Sequence, residues 1–190
     1  MRAIRTLLLM LSFAVAVILV LTGVRVSDAD PANLANRLKG TYAANTTGFC
    51  YITASSGGTL LNNQYQGQSG TYYFDGAGGF TIEILVNSFN ISTGTLSTST
   101  VTATGTYAVS PDNSVTTEVA SNSLIIDGAG TGNTVHVPSI TGRWLIVGDE
   151  LFRMPTTPPA EETVITTLAG GGGTTTTYRK CSRVGTLHKI

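Results

Sequence analysis

The fold is decided by the alternating stretch Phe80–Asn87, which reads FTIEILVN. Every second residue from Phe80 to Val86 is apolar, whereas the alternate positions include the polar residues Thr81, Glu83 and Asn87. This period of two is typical of a β-strand with one buried and one exposed face. The same alternation recurs over residues 101–109 and 115–120. We therefore predict an all-β domain.

Turn-forming residues and a short repeat indicate how many strands there are. Turns are expected at Asp75-Gly76, Pro111-Asp112-Asn113, Asp127-Gly128 and Gly148-Asp149. A Gly-x-aromatic motif recurs at Gly40, Gly70, Gly105 and Gly142, at spacings of 30, 35 and 37 residues. We interpret each repeat as one hairpin that begins at the glycine, with the aromatic residue covering the core. Four hairpins predict an antiparallel up-and-down barrel of about eight strands. A β-sandwich is the alternative.

The N-terminal segment has the features of an export signal. Basic residues precede an uncharged apolar stretch at residues 6–24, and Ser27-Asp28-Ala29 has the small residues of a cleavage site. Residues 1–29 are therefore expected to be a signal peptide. The alternative is an uncleaved membrane anchor at residues 6–24, which is long enough to span a bilayer.

The remaining chain is divided into a short lead-in and one domain. Residues 30–39 are expected to be helical, and residues 40–190 to form the single β-barrel domain. We expect a long loop at Ser55–Ser69, a stiff connector at Pro155–Ala160, and the last two strands at Glu162–Leu168 and Thr174–Val184.

Cys50 and Cys181 are the two cysteines of the chain. In an exported protein, one cysteine near each end of a domain predicts a disulfide bond. A reactive thiol is the alternative for Cys181, because basic residues flank it. The disulfide requires the first and last strands to be neighbours. We therefore expect Thr41–Ala54 to lie beside Thr174–Val184, which closes the barrel.

Composition excludes some classes of function. From Asp30 onward the chain has eight basic and ten acidic residues, a net charge of about −2. Such a domain lacks the basic surface that nucleic acids require. The outer-membrane class of barrel is disfavoured, because the chain ends in Lys189-Ile190 rather than an aromatic residue.

No motif for catalysis, a metal or a cofactor stands out. His136 and His188 are far apart in the sequence, and nothing predicts that they share a metal. The glycine-rich stretch Asp127–Asn133 lacks the lysine of a phosphate-binding loop. Glu161-Glu162 is expected to be solvated surface. We therefore expect a non-enzymatic protein, although an unrecognised catalytic site is an alternative.

The C-terminal strand carries a basic cluster formed by Arg179, Lys180, Arg183 and Lys189. On a strand, Arg179 and Arg183 share a face with Cys181, and Lys180 lies on the other face. Three interpretations are open: contact with an anion or acidic partner, a solvated edge, or an arginine packed across one end of the barrel.

Several of these elements together resemble a known group of proteins. The elements are Gly40-Thr41-Tyr42, Phe74–Gly78, Gly105–Asp112 and Arg179-Lys180-Cys181. This layout resembles short exported bacterial proteins of unknown function. The start of the domain also resembles a lipocalin, with Tyr42 where lipocalins have tryptophan. The resemblance implies barrel-end packing of Tyr42 by Arg179 or Arg183, with Trp144 as a further end residue, and a small apolar ligand.

Two functions follow from a barrel of this kind. The first is binding of a small apolar molecule or a protein partner. The second is a structural or surface-interaction role with no ligand. A cavity of several hundred Å3 favours binding, and a packed interior favours the structural role.

Overall fold

The structure is a computed structural model that describes residues 31–120, 124–127, 132–156 and 158–190. The elements are α1 Pro31–Ala35, β1 Lys39–Thr53, β2 Leu60–Asp75, β3 Gly79–Asn90, β4 Thr95–Val109, β5 Ser114–Val119, β6 Leu124–Asp127, β7 Thr134–His136, β8 Ile140–Val147, β9 Glu150–Met154, β10 Glu161–Thr167 and β11 Thr174–Lys189. A 3-10 turn at Ala169–Gly171 precedes β11. The predicted signal peptide, residues 1–29, lies outside the described residues.

The eleven strands occupy eight positions in a closed antiparallel ring. Five positions are the long strands β1 to β4 and β11. Each of the other three positions is occupied by two shorter strands, namely β5 with β6, β8 with β7, and β9 with β10. At one end of the barrel the ring runs from β4 through β5, β8 and β9 to β11. At the other end it runs from β4 through β6, β7 and β10 to β11. This confirms the all-β fold and the predicted count of about eight.

Closure of the ring depends on β1 and β11. These strands pair antiparallel from Tyr42 opposite Lys189 to Thr53 opposite Tyr178. The last strand thus pairs with the first, as predicted from the cysteines. Within the described residues each of the eight positions is paired on both sides, which removes the exposed edges that an open sheet would have.

Two details of the strand boundaries differ from expectation. The loop predicted at Ser55–Ser69 is wrong, because β2 already begins at Leu60. The glycines of the repeat do not all begin strands, since Gly70 and Gly105 lie well inside β2 and β4. A Cβ atom at Gly105 would lie 2.3 Å from the carbonyl oxygen of Glu118 and 2.6 Å from the ring of Phe80. Glycine at this position therefore lets β5 and Phe80 approach the backbone of β4.

One end of the barrel is packed with apolar side chains. The larger buried members are Tyr42, Tyr72, Phe74, Phe80, Tyr107, Val115, Trp144, Leu151 and Leu187. Leu38, which follows α1, is buried against this cluster. The Tyr107 hydroxyl lies 2.9 Å from the carbonyl oxygen of Ala35 and 2.8 Å from that of Leu38. It therefore ties the segment after α1 over this end, which we call the closed end.

Candidate ligand-binding cavity

Above the closed end, the interior of the barrel is a cavity of about 390 Å3. Its floor is formed by Tyr72, Phe80 and Trp144, all buried. The Tyr72 and Trp144 rings meet edge to face, with centroids 5.9 Å apart. The volume lies within the range of roughly 300–1,000 Å3 that is common for small-molecule sites.

The cavity has one apolar wall and one polar wall. The apolar wall comes from β3, β4 and β5, through Ile82, Ile84, Val86, Val101, Ala103 and Val119. The polar wall comes from β2 and β11, through Gln64, Gln66, Gln68, Thr177, Arg179 and Arg183. A molecule that fits both walls has an apolar body and a polar group.

The polar wall explains why the first part of β2, from Leu60 to Ser69, was predicted as a loop. In this strand the glutamines face inward and Tyr65, between two of them, is 59% exposed. The usual alternation, with apolar residues inside and polar residues outside, is therefore inverted. Gln68 is held in place because its side-chain oxygen accepts a hydrogen bond of 2.8 Å from the Thr46 hydroxyl.

An ionic cluster lies on the inner surface of β10 and β11. The Glu162 carboxylate accepts a 2.7 Å hydrogen bond from Nε of Arg179. It also accepts two from Arg183, whose Nη1 bonds Oε1 and whose Nη2 bonds Oε2 at 2.9 Å. Bidentate arginine–carboxylate pairs of this kind are among the strongest charged hydrogen-bonded contacts. The expectation of a solvated surface is therefore wrong for Glu162, whose exposure is only 6%.

The two arginines decide the ionisation of Glu162. Burial acts to raise the pKa of this carboxyl, but attraction and hydrogen bonds from Arg179 and Arg183 outweigh burial and lower it to about 2. Burial acts to lower the pKa of Arg183, but attraction and a hydrogen bond from Glu162 outweigh burial and raise it. All three groups are charged at neutral pH.

A third arginine, Arg153, lies over the floor. Its guanidinium carbon is 5.1 Å from the centre of the Trp144 ring, a cation–π contact. The indole N–H of Trp144 donates a 3.1 Å hydrogen bond to the Thr117 hydroxyl. Gly142 leaves the space for this bond, since a Cβ atom there would lie 2.5 Å from Oγ1 of Thr117.

Burial and repulsion from Arg183 lower the pKa of Arg153 to about 10. Burial raises the pKa of Tyr72 and outweighs the opposite influence of Arg153 and Arg183. At neutral pH, Arg153 is thus a cation and Tyr72 carries a neutral hydroxyl. Both side chains line the cavity, so its lower part presents hydrogen-bond donors.

The barrel wall has a second cavity of about 190 Å3 beside the ionic cluster. It lies where one strand position is divided into β9 and β10, with the predicted stiff connector between them. Pro138, Thr156 and Ala160 line it together with Arg153, Glu162 and Arg183. Arg153 and Arg183 also line the central cavity, so they stand between the two spaces.

Cys50 and Cys181 form the predicted disulfide bond between β1 and β11. Their Cα atoms are 4.1 Å apart, and both residues are buried. They are directly opposite in the strand register. The bond therefore fixes β11, and with it Arg179 and Arg183, against β1. Such a bond is compatible with an oxidising environment.

The four residues predicted to pack at an end of the barrel separate into two groups. Tyr42 and Trp144 belong to the closed end. Arg179 and Arg183 lie along the wall with Glu162, and the arginine that packs on an end aromatic ring is Arg153. Of the C-terminal cluster, Lys180 is exposed and lies 3.6 Å from Glu161.

His188 and the Asp75 turn make local contacts. His188 and Glu150 are exposed and lie 3.0 Å apart. Asp75 accepts hydrogen bonds from the N–H groups of Ala77 and Gly79, which lower the pKa of its carboxyl. Among the described residues, no group of three or more His, Cys, Asp or Glu is placed to hold a metal ion. The turn at residues 128–131 lies outside the described part.

Fold and cavity together define a closed eight-stranded antiparallel barrel with a partly charged interior. A comparison with known families finds no family model that matches the chain, and a comparison with curated proteins finds no similar sequence. The resemblance to lipocalins therefore stays a prediction. Of the helices in the described ranges, none is long and apolar enough to cross a membrane.

Proposed function

We propose that this chain is an exported, non-enzymatic β-barrel that holds a small, largely apolar ligand in its interior. The observation that carries the proposal is the cavity of about 390 Å3 with an apolar wall of Ile, Val and Ala side chains. A structural barrel of this size would fill its interior, because close packing of the core stabilises a fold. The non-enzymatic part of the proposal rests on the absence of a catalytic motif in the sequence.

Export is supported by two features of the chain. One is the basic and apolar sequence of residues 1–29. The other is the Cys50–Cys181 disulfide, which persists in oxidising compartments. We expect the protein recovered from its host to begin near Asp30. A membrane-bound product that retains Met1 or Arg2 would instead support the anchor.

Ligand binding is tested through Trp144, the single tryptophan of the chain. Because its ring forms part of the cavity floor, an occupant will change its emission. We expect titration with 1-decanol to give a saturable change. This probe is suitable because 390 Å3 corresponds to roughly 13 groups at about 30 Å3 each, the volume per molecule in liquid water.

Two matched variants show whether the ligand enters the barrel. Ala103→Phe places a ring in the cavity, because Ala103 faces inward on β4. Thr102→Phe places the same ring on the outer face of the same strand. We expect the first substitution to weaken binding and the second to leave it unchanged. Equal binding by both variants would mean that the ligand does not enter the barrel. No saturable binding by the unmodified protein would favour the structural role.

A further inference from the structure

The interior of the barrel contains more positive than negative charge. Arg153, Arg179 and Arg183 all line the central cavity. Glu162 is the carboxylate that contacts this group, and it bonds Arg179 and Arg183. Three cations and one anion leave an excess of two positive charges in a partly dehydrated space. Uncompensated buried charge is costly, so a second anion placed here would be stabilising.

Arg153 is the arginine that remains available. Among the described residues, no carboxylate lies within salt-bridge distance of its guanidinium. The guanidinium lies over the ring of Trp144. A cation–π contact supplies no acceptor oxygen, so the N–H donors of this guanidinium can still bond an anion. The lowered pKa of Arg153 agrees with this, because burial and repulsion by Arg183 outweigh the opposite influence of Tyr72 and Glu162.

The rest of the cavity specifies what is attached to the anion. The side chains that face these arginines across the cavity include Ile84, Val86 and Val101. A free inorganic anion would leave this apolar wall unfilled. A chain of methylene groups would cover this wall and remove it from water, which favours binding.

We propose that the ligand is a single-chain amphiphile with a carboxylate headgroup. The carboxylate accepts hydrogen bonds from Arg153 above Trp144, and the alkyl chain lies along the wall formed by β3 and β4. This inference rests on the proposed function, because it names the ligand class of the same cavity. Beyond the proposed function, the inference specifies a charged headgroup for the ligand and Arg153 as the residue that binds this headgroup.

Isothermal titration calorimetry with three ligands of equal chain length tests the headgroup. The probes are decanoate, 1-decanol and decyltrimethylammonium. We expect decanoate to bind at least about tenfold more tightly than 1-decanol, as one charged hydrogen-bonded contact predicts, and the cation to bind least. Equal binding of decanoate and 1-decanol would overturn the inference and leave the proposed function standing. Failure of both to bind would overturn the proposed function itself.

Two substitutions test the assignment to Arg153. Arg153→Met keeps an unbranched side chain over Trp144 and removes the charge. Arg143→Met removes the same charge from an exposed position on the neighbouring strand β8. We expect the first variant to lose the preference for decanoate and keep 1-decanol binding, and the second to behave like the unmodified protein. Arg153→Lys, which retains a cation, should keep part of the preference and covers the case in which Arg153→Met does not fold. An unchanged preference in folded Arg153→Met would overturn the assignment. If Arg153→Met does not fold, an unchanged preference in Arg153→Lys would overturn it instead.

Discussion

Glu162 and Arg183 form a two-point ion pair inside the barrel, although twenty-one residues separate them along the chain. Arg179 contacts the same carboxylate, so one acidic residue of β10 organises two basic residues of β11. The carboxylate thus joins the last two strands and sets the charge of the cavity wall. This relationship leads to a prediction about acid stability.

The stabilising contribution of Glu162 should be lost in acid. Its pKa is about 2 in the folded protein and ordinarily 4.5, so the contribution is present above pH 4.5 and disappears as the pH falls from 4.5 toward 2. This pKa difference corresponds to about 3 kcal/mol of unfolding free energy at neutral pH. About 2 kcal/mol of that contribution is lost at pH 3. We therefore expect the gap in unfolding free energy between the unmodified protein and Glu162→Gln to narrow from pH 7 to pH 3. Urea unfolding at the two pH values measures this gap.

Glu161→Gln is the matched control for that experiment. Glu161 is exposed and contacts Lys180 and Ser56 at the surface, where a single ion pair contributes little. We expect this variant to unfold with nearly the free energy of the unmodified protein at pH 7. A loss as large as that of Glu162→Gln would show that the buried cluster is not the source of the effect.

The hydrogen bond between Trp144 and Thr117 should contribute to stability. Thr117→Val removes the acceptor and leaves a buried indole N–H without a partner, which costs about 1–3 kcal/mol. Thr116→Val, at the exposed neighbouring position of β5, makes the same chemical change without this loss. Chemical denaturation of the two variants compares them directly. Equal stability would mean that the indole N–H finds another partner.

Substitution by alanine should destabilise the protein at Gly105 and have little effect on stability at Gly67. A Cβ atom at Gly105 would overlap the Glu118 carbonyl oxygen and the Phe80 ring, and relief of such overlap costs about 1–3 kcal/mol. At Gly67, a Cβ atom would meet nothing within 4 Å. Thermal unfolding should therefore show a lowered midpoint for Gly105→Ala and little change for Gly67→Ala. Similar midpoints for both variants would contradict the close approach of β4 and β5.

The disulfide should stabilise the closed ring without being the cause of closure. Cys50 and Cys181 are 131 residues apart, and a loop of this length gives at most about 5 kcal/mol in a chain-entropy estimate. We expect the double variant Cys50→Ala, Cys181→Ala to lose stability in urea. It should keep its β-sheet circular dichroism, because β1 and β11 remain hydrogen-bonded from Tyr42 to Thr53. Loss of that signal in the absence of denaturant would make the bond a requirement for the fold.

Local periodicity was sufficient to predict much of the fold. Alternation in Phe80–Asn87 corresponds to β3, whose even positions from Phe80 to Val86 are buried. The turn residues at Asp75-Gly76 and Gly148-Asp149 lie between paired strands, as expected. Two cysteines then sufficed to predict that the first and last strands are neighbours. Each of these features depends on adjacent residues or on one covalent bond.

The charged part of the cavity was less accessible to sequence reasoning. Glu162 shares the inward parity of Val164, and Arg153 shares that of Leu151, but this parity was not used and Glu162 was expected to be solvated. Their partners lie on the neighbouring strand, with Arg179 opposite Glu162 and Trp144 opposite Arg153, so these contacts depend on the register of the paired strands. The apolar wall and the floor follow from alternation, whereas the contacts of Glu162 depend on how β10 and β11 align.

A competing apolar surface exists on the outside of the barrel. Phe49, Tyr65, Phe89 and Leu96 are successive neighbours across β1 to β4, and the last three are 59%, 42% and 69% exposed. An alkyl chain could adhere there without entering the cavity. A decisive experiment must therefore distinguish the interior from this outer row.

The most direct measurement is an isotope-filtered NOE spectrum of the protein with 13C-labelled decanoate. If the ligand lies in the cavity with its headgroup at Arg153, its terminal methyl will give NOEs to the methyl groups of Ile84, Val86 and Val101. The protons next to its carboxylate will give NOEs to the Trp144 ring. NOEs confined to Tyr65, Phe89 and Leu96 would contradict an interior binding site.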